Sequence, residues 1–278
     1  MLLVALFLSV LALAVGGSSW WLSRGEPEWY QPKQTDPKEL AAASDRAEKQ
    51  IERTLSWAQD QQVYTATHAA GVKAPAEPTR STDIKFSQTE LNGFFQKWDT
   101  TFGWSHSYSA YVDDPMVVLR DEKLLFAGRV KELGAVVSVE LWPRLENDQL
   151  RISVTRVLAG RLPLPRALWS RYITALSNTV EGNLDNWRSF AEITPRGANT
   201  SAVSAAMGEL LIDALHDQPS SPVLFLPIAG SSRGLPVQIT GVSIDNETLS
   251  LTVRSLSIDE QKLLLAHIRS DSPIVSAN

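Results

Sequence analysis

Hydrophobic and polar positions follow three rhythms along this chain, and each predicts a different kind of element. From Met1 to Ser23 no side chain is charged; Leu2–Val15 is an almost unbroken apolar run, followed by Gly16, Gly17, Ser18 and Ser19 and then Trp20, Trp21 and Leu22. As one helix, residues 2–22 are long enough to cross a hydrocarbon core of about 30 Å. The alternative is a cleaved signal peptide, whose apolar core is shorter and is followed by small residues. No Lys or Arg precedes the run, and Trp20, Trp21, Trp29 and Tyr30 look like an aromatic belt at a membrane–water interface, which favours a retained anchor. Either of these two readings exports the body of the chain; the third, a buried soluble helix, does not. Flanking charge gives no orientation, because Arg24 and Lys33 are offset by Glu26 and Glu28.

Beyond the connector the rhythm is helical. Asp36-Pro37-Lys38-Glu39 supplies an N-cap, a proline at the first helical position and an acid in the first turn. Leu40, Ala43, Ala47, Ile51, Leu55 and Ala58 then recur at three and four, predicting a helix to about His68 whose narrow stripe is a seam against the rest of the domain or against a partner helix, with a membrane-surface helix as the alternative. Residues 71–82, with Pro75 and Pro78, read as a linker.

From Asp83 the period of two takes over. Ile84 and Phe86 are strand-like, Ser87-Gln88-Thr89-Glu90 is a capping box opening a helix with Leu91, Phe94, Phe95 and Trp98 on one face, and Met116–Arg120 with Lys123–Lys131 forms a hairpin around Asp121-Glu122. Val137, Val139 and Leu141 alternate in a further strand; Leu150, Ile152 and Val154 follow in the next. After the loop Gly160–Pro165, the residues Leu168, Tyr172, Leu176, Val180 and Leu184 mark the longest amphipathic helix of the core. Another helix spans Val203–Leu215; Val223–Leu226, Leu235–Ile244 and Leu249–Leu256 are strands, and Ser257-Ile258-Asp259-Glu260 caps a last helix. Asn246–Val253 echoes Asn147–Val154 position by position, as turn-plus-alternating-strand patterns do. The predicted fold is α+β: an N-terminal transmembrane helix, then a curved antiparallel sheet packed with long amphipathic helices. Its segments are an anchor or signal (1–23), a connector and amphipathic helix (24–70), a linker (71–82), an extracytoplasmic domain (83–270) and a loose tail (271–278).

Composition narrows the chemistry. The 278 residues include no cysteine, which excludes a disulfide framework, zinc-thiolate and iron–sulfur sites and a cysteine nucleophile. A net charge of −5 argues against a nucleic-acid partner. Of the four histidines, His68, His106, His216 and His267, none has a neighbour at metal-ligand spacing, and no glycine-rich phosphate loop exists, so no metal and no cofactor is expected. Gly230-Ser231-Ser232-Arg233-Gly234 matches the serine-hydrolase elbow, with Asp245 or Asp259 and His267 downstream, but a strand rather than a helix should follow it, leaving no oxyanion hole. Asp113-Asp114-Pro115 reads as a turn before a strand. No enzyme activity is expected.

What remains is apolar surface beyond the needs of a plain core. Leu162 and Leu164 sit between prolines beside Trp169, and the helix of Phe94, Phe95 and Trp98 presents aromatics. Together with Tyr172 and Leu176 these residues are candidates to line an apolar groove between sheet and helix that takes an acyl chain. Phe86–Asn92, Leu124–Val130, Val137–Pro143 and Leu150–Pro165, in that order behind an N-terminal anchor, resemble the YpmS-type membrane-anchored bacterial proteins, which are similar in pattern to the tubular lipid-binding (TULIP-like) domains. The resemblance covers roughly Asp83–Leu256 and implies lipid handling in the cell envelope, with a long helix against a strongly curved sheet and no catalytic residues to transfer. The expected partners are therefore the membrane and a lipid or acyl chain. The second hypothesis is a non-catalytic envelope structural or assembly-partner protein that docks another chain through helix 36–68.

Overall fold

The computed structural model describes residues 25–32, 36–69, 80–93, 112–194, 197–228, 231 and 233–270; within its helices the side chains of residues 65–69, 168, 171–173, 175, 176 and 179 fall outside that description. The expected anchor (2–22), most of the linker and the tail lie outside the described residues. Among the described residues no helix is long and apolar enough to cross a membrane.

The order of elements is α1 (Pro37–Ala69), β1 (Ser81–Ser87), β2 (Val112–Arg120), β3 (Lys123–Val130), β4 (Ala135–Glu146), β5 (Gln149–Ala159), β6 (Leu162–Pro163), α2 (Arg166–Ser189), β7 (Ile193–Thr194), β8 (Gly197–Ala198), α3 (Thr200–His216), β9 (Pro219–Ser220), β10 (Val223–Pro227), β11 (Gly234–Asp245), β12 (Thr248–Ser255) and α4 (Ile258–Arg269). The chain is α+β, but with two antiparallel sheets where the periodicity suggested one. Sheet A has the order β1-β12-β11-β8-β7 with β10 on β11, and sheet B has β2-β3-β4-β5-β6 with β9 on β5. At one edge of sheet A its first strand pairs with its last, Ile84 opposite Leu251, a long-range contact that local alternation does not encode.

Local signals explain most element ends. Lys38 N–H donates to the Asp36 carboxylate at 2.9 Å, Asn199 caps α3 by accepting from Ala202 N–H, and both capping boxes form, Ser87 with Glu90 and Ser257 with Glu260. Three hairpins turn through two residues with positive φ: Asp121-Glu122 (51°, 61°), Asn147-Asp148 (51°, 59°) and Asn246-Glu247 (47°, 57°). This backbone matches the right-handed twist of the flanking strands. The echo between Asn147–Val154 and Asn246–Val253 is thus the same two-residue hairpin, β4–β5 in one sheet and β11–β12 in the other. Asp113-Asp114-Pro115 is not a turn before a strand; it lies inside β2, where a register shift between Asp113 and Met116 absorbs the extra residues and Asp114 takes φ 49°.

Each sheet turns one apolar face to the core, and on sheet B the central positions of the other face, Val118, Leu125, Ala127 and Val136, are buried as well. On sheet B, Val130, Val137, Val139, Val157 and Ala159 pack against Trp169, Val180 and Leu184 of α2 and Leu215 of α3. On sheet A, Val237, Ile239, Val253 and Ile84 meet Leu55 and Ala58 of α1, with Leu150 of sheet B in the same cluster. Near the other end of the sheets Val117 and Leu119 of β2 touch Ile244 of β11. The stripe on α1 is therefore a seam inside its own domain: Leu40, Ala43, Ala47, Leu55 and Ala58 are all buried. Gly93 makes the close approach possible, since a Cβ there would lie 2.5 Å from the Leu40 carbonyl oxygen.

Candidate functional site

The residues that follow the apolar N-terminal run are fastened to the outer face of sheet B, the face away from α2 and α3. Tyr30 N–H donates to Pro27 O at 3.0 Å, turning the chain so that the Tyr30 ring enters a cluster with Ala127 and Val136, flanked by Trp29 and Met116. The ring is 3% exposed and its hydroxyl donates to Asp114 O at 2.8 Å. Burial, reinforced by Asp114, pushes the phenol well above its ordinary pKa and keeps it neutral. Trp29 meets Tyr30 edge-on at 6.2 Å and receives the Arg120 guanidinium over its own ring at 5.3 Å. Arg129 pairs with Glu26, and Arg161 donates to Glu26 O at 3.3 Å and to Glu28 Oε1 at 3.4 Å. Tyr30, expected in an aromatic belt, is instead a core residue of the body.

Arg161 belongs to the loop Gly160–Pro165, so the same contacts bring two of the expected lipid-binding residues beside the chain's exit toward residues 1–24. Leu162 is half-buried in β6 opposite Ala159; Leu164 donates its N–H to Val157 O at 2.8 Å and packs on the sheet B core together with Trp169. Trp169 is 5% exposed, and Arg166 covers its ring at 5.8 Å. Tyr172 and Leu176 lie on α2 between Trp169 and the buried Ser177, with their side chains outside the description. Phe94, Phe95 and Trp98 lie outside the described residues altogether. Where side chains are described, the space between sheet B and α2 is filled by Trp169, Val180 and Leu184.

The outer face of sheet B carries a feature that sequence reasoning missed. Residues directly opposite each other in an antiparallel pair share a face. Arg120 stands opposite Lys123, Arg129 opposite Asp113 on one side and Val136 on the other, Glu140 opposite Arg156 and Arg144 opposite Arg151, so six cations share this face with Asp113, Glu140 and Glu146. Glu140 is buried at the centre, taking hydrogen bonds from Lys123 Nζ at 2.7 Å and Thr155 Oγ1 at 2.6 Å. Burial works to raise its pKa, but the Lys123 and Thr155 hydrogen bonds outweigh it and hold the carboxyl below its ordinary value. Glu146 pairs with both Arg144 (3.0 Å) and Arg151 (3.7 Å), and Arg144 stacks on Trp142 at 4.0 Å. In the sequence these are scattered Arg and Lys residues of four strands with no regular spacing, and only the register, with the shift between β4 and β5, places them on one face.

A second polar cluster joins α2, α3 and α4. Glu209 accepts from Arg188 at 3.1 Å and faces His267 Nε2 at 3.5 Å; one turn along α3, Asp213 is pushed up to about 6, chiefly by burial and then by the Glu209 charge, with His267 and His216 acting the other way. The adjoining cavity of about 30 Å³, lined also by Ser220 and Ser221, admits a water-sized molecule and not a substrate. His267, considered for a triad with Ser232, is thus engaged with Glu209; Ser232 lies outside the described residues, and a strand follows it as expected, β11 beginning at Gly234, one residue before the predicted Leu235. Among the described residues no three His, Asp or Glu side chains converge as metal ligands. Comparison of the chain with family models, with curated proteins and with solved structures returned no match.

Proposed function

We propose that this is a membrane-anchored envelope protein, held by residues 2–22 with its body outside the cytoplasm, that binds or transfers lipid in an apolar groove at the end of the body next to the anchor. The observation that carries this reading is the fastening of residues 26–30 to sheet B and, through Arg161, to the loop of Leu162 and Leu164. A tether that leaves the body at a rigid point holds one side of it at the bilayer. The side so held contains Leu162, Leu164 and, on the adjoining first turn of α2, Trp169 under Arg166. An acyl chain entering there gains about 0.8 kcal/mol for each CH₂ it buries, so even a partly inserted chain is held measurably.

The test is lipid extraction and mass spectrometry of the full chain purified from membranes, followed by displacement of a fluorescent phospholipid. Co-purified lipid and saturable displacement that weakens in Leu162→Ser/Leu164→Ser support the reading; a folded, membrane-extracted chain with neither sinks it. The second reading, an assembly partner docked by helix 36–68, is favoured by a shallow concavity of about 490 Å³ on the exposed side of α1, lined by Lys49, Glu52, Arg53, Ser56, Trp57 and Asp60.

A further inference from the structure

We infer that the outer face of sheet B is a binding surface for anionic phospholipid headgroups, which lays the body flat on the bilayer that holds its anchor. The inference rests on the anchored reading above and adds to it the chemistry of the lipid surface and the face that meets it.

Four observations converge. The first is the register: a chain with a net charge of −5 places Arg120, Lys123, Arg129, Arg144, Arg151 and Arg156 on one sheet face, against Asp113, Glu140 and Glu146 from the same strands. Secondly, Arg120 faces Lys123 and Arg144 faces Arg151 directly across the ladder, an arrangement that opposes pairing of the strands and is stabilised by an anion spanning both members. The carboxylates present do not neutralise the whole set: Glu26 takes up Arg129 and Asp113 pairs with Lys131, but Glu146 is shared between two guanidiniums and Glu140 lies beneath the surface, held by Lys123 and Thr155. Thirdly, Trp142 and Trp29, both half-buried, lie under Arg144 and Arg120, an alternation of indole and guanidinium suited to the headgroup level of a bilayer. Finally, the chain reaches residue 25 on this same face, where Glu26, Trp29 and Tyr30 are fastened, so an anchor preceding them presents this face to its own membrane. Basic side chains close to a membrane surface are attracted to anionic lipid and released by salt.

The absence of cysteine makes the test direct. Arg156→Cys, exposed on the outer face of sheet B, and Ser243→Cys, exposed on the outer face of sheet A, each give the full chain a single thiol. Both variants are reconstituted in nanodiscs of phosphatidylcholine alone or with phosphatidylglycerol, and their labelling by an uncharged bulky maleimide is timed. The expected result is labelling at position 156 about fivefold slower on phosphatidylglycerol discs, restored by high salt, with no change at position 243. Adding Arg120→Gln, Arg144→Gln and Arg151→Gln, with folding verified by circular dichroism, is expected to abolish the difference. Labelling at position 156 that ignores phosphatidylglycerol, or slows equally at both positions, overturns the inference while leaving the anchor intact. Release of the full chain from membranes by alkaline carbonate overturns the anchored reading and this inference with it. Salt-sensitive binding to an oligonucleotide or an acidic protein in preference to phosphatidylglycerol vesicles overturns the lipid assignment alone.

Discussion

The two sheets have similar hairpins and buried faces, and they differ in what they show on the outside. On sheet A the outer positions are Asp83 opposite Thr252, Lys85 opposite Ser250, Ser243 opposite Ser250 and Gln238 opposite Arg254, a run of hydroxyls and balanced charge with no like charges facing each other. Thr252 even donates to Asp83 at 2.7 Å across the ladder. Sheet B shows cation opposite cation at two places and is fastened to the segment beside the expected anchor. A face selected only for solvation looks like sheet A. The departure on sheet B works against strand pairing, and within the fold it is offset in part by Glu146 and by the rings of Trp29 and Trp142.

The comparison can be broken most severely at the fastening itself. Tyr30→Ala removes a buried ring and the hydroxyl bond to Asp114 O, and is expected to lower stability by about 3 kcal/mol in denaturant titration. Tyr30→Phe keeps the ring and is expected to lose only about 1 kcal/mol. A Tyr30→Ala protein as stable as the parent would show that residues 25–32 contribute nothing to the body.

Next in size is the carboxylate that only sheet B buries. Glu140→Gln leaves Lys123 without its partner under Arg156 and is expected to cost about 2 kcal/mol, whereas Asp83→Asn on the outer face of sheet A is expected to change stability by less than about 0.5 kcal/mol. Because the Glu140 pKa is lowered in the fold, its contribution is present above the ordinary carboxyl value and disappears as pH falls through the folded value. Equal losses at positions 140 and 83 in thermal melts at pH 7 would erase the contrast.

Asp213 lies away from the outer faces and separates the pH response of the helix junction from theirs. Its pKa is raised from 3.8 to about 6, so its contribution is complete below 3.8 and is lost as pH rises through about 6. Asp213→Asn is therefore expected to stabilise the protein at pH 8 by on the order of 1 kcal/mol, after allowance for solvent screening, and to do little at about pH 3.5, below the ordinary carboxyl value. Melting curves at the two pH values decide it; a gain at the lower pH with none at pH 8 would reverse the assigned sign.

The smallest effect is the most specific. If the opposed arginines serve a surface outside the fold, Arg151→Thr should be neutral or stabilising by about 0.5 kcal/mol in the absence of lipid, while Lys85→Thr on sheet A changes nothing measurable. A clear loss on Arg151→Thr would mean that the pair with Glu146 holds the sheet together, and the cations would then be structural.

Much of the architecture was legible in the chain because its determinants are local. The caps at Asp36, Ser87 and Ser257, the two-residue turns and the period of two from Met116 to Val157 each depend on neighbours within a few residues. The stripe from Leu40 to Ala58 predicted a seam, though not its partner: sheet A supplies it. Tyr30 was misjudged because an amphipathic ring beside an apolar run fits a bilayer interface as well as a protein core, and only the bulge of β2 that presents Asp114 O to it distinguishes the two. Leu164 and Trp169 were recognised as neighbours in a loop and helix start; that Arg161 ties them to Glu26 and Glu28 joins positions over a hundred residues apart. The edge pair β1–β12, the convergence of Arg188, Glu209 and His267 from three helices, and the six cations of sheet B are all consequences of register and packing between distant segments. Local sequence determines which elements form and which face of each is apolar; which outward faces become neighbours, and so where charge accumulates, was decided by the pairing of strands in the folded protein.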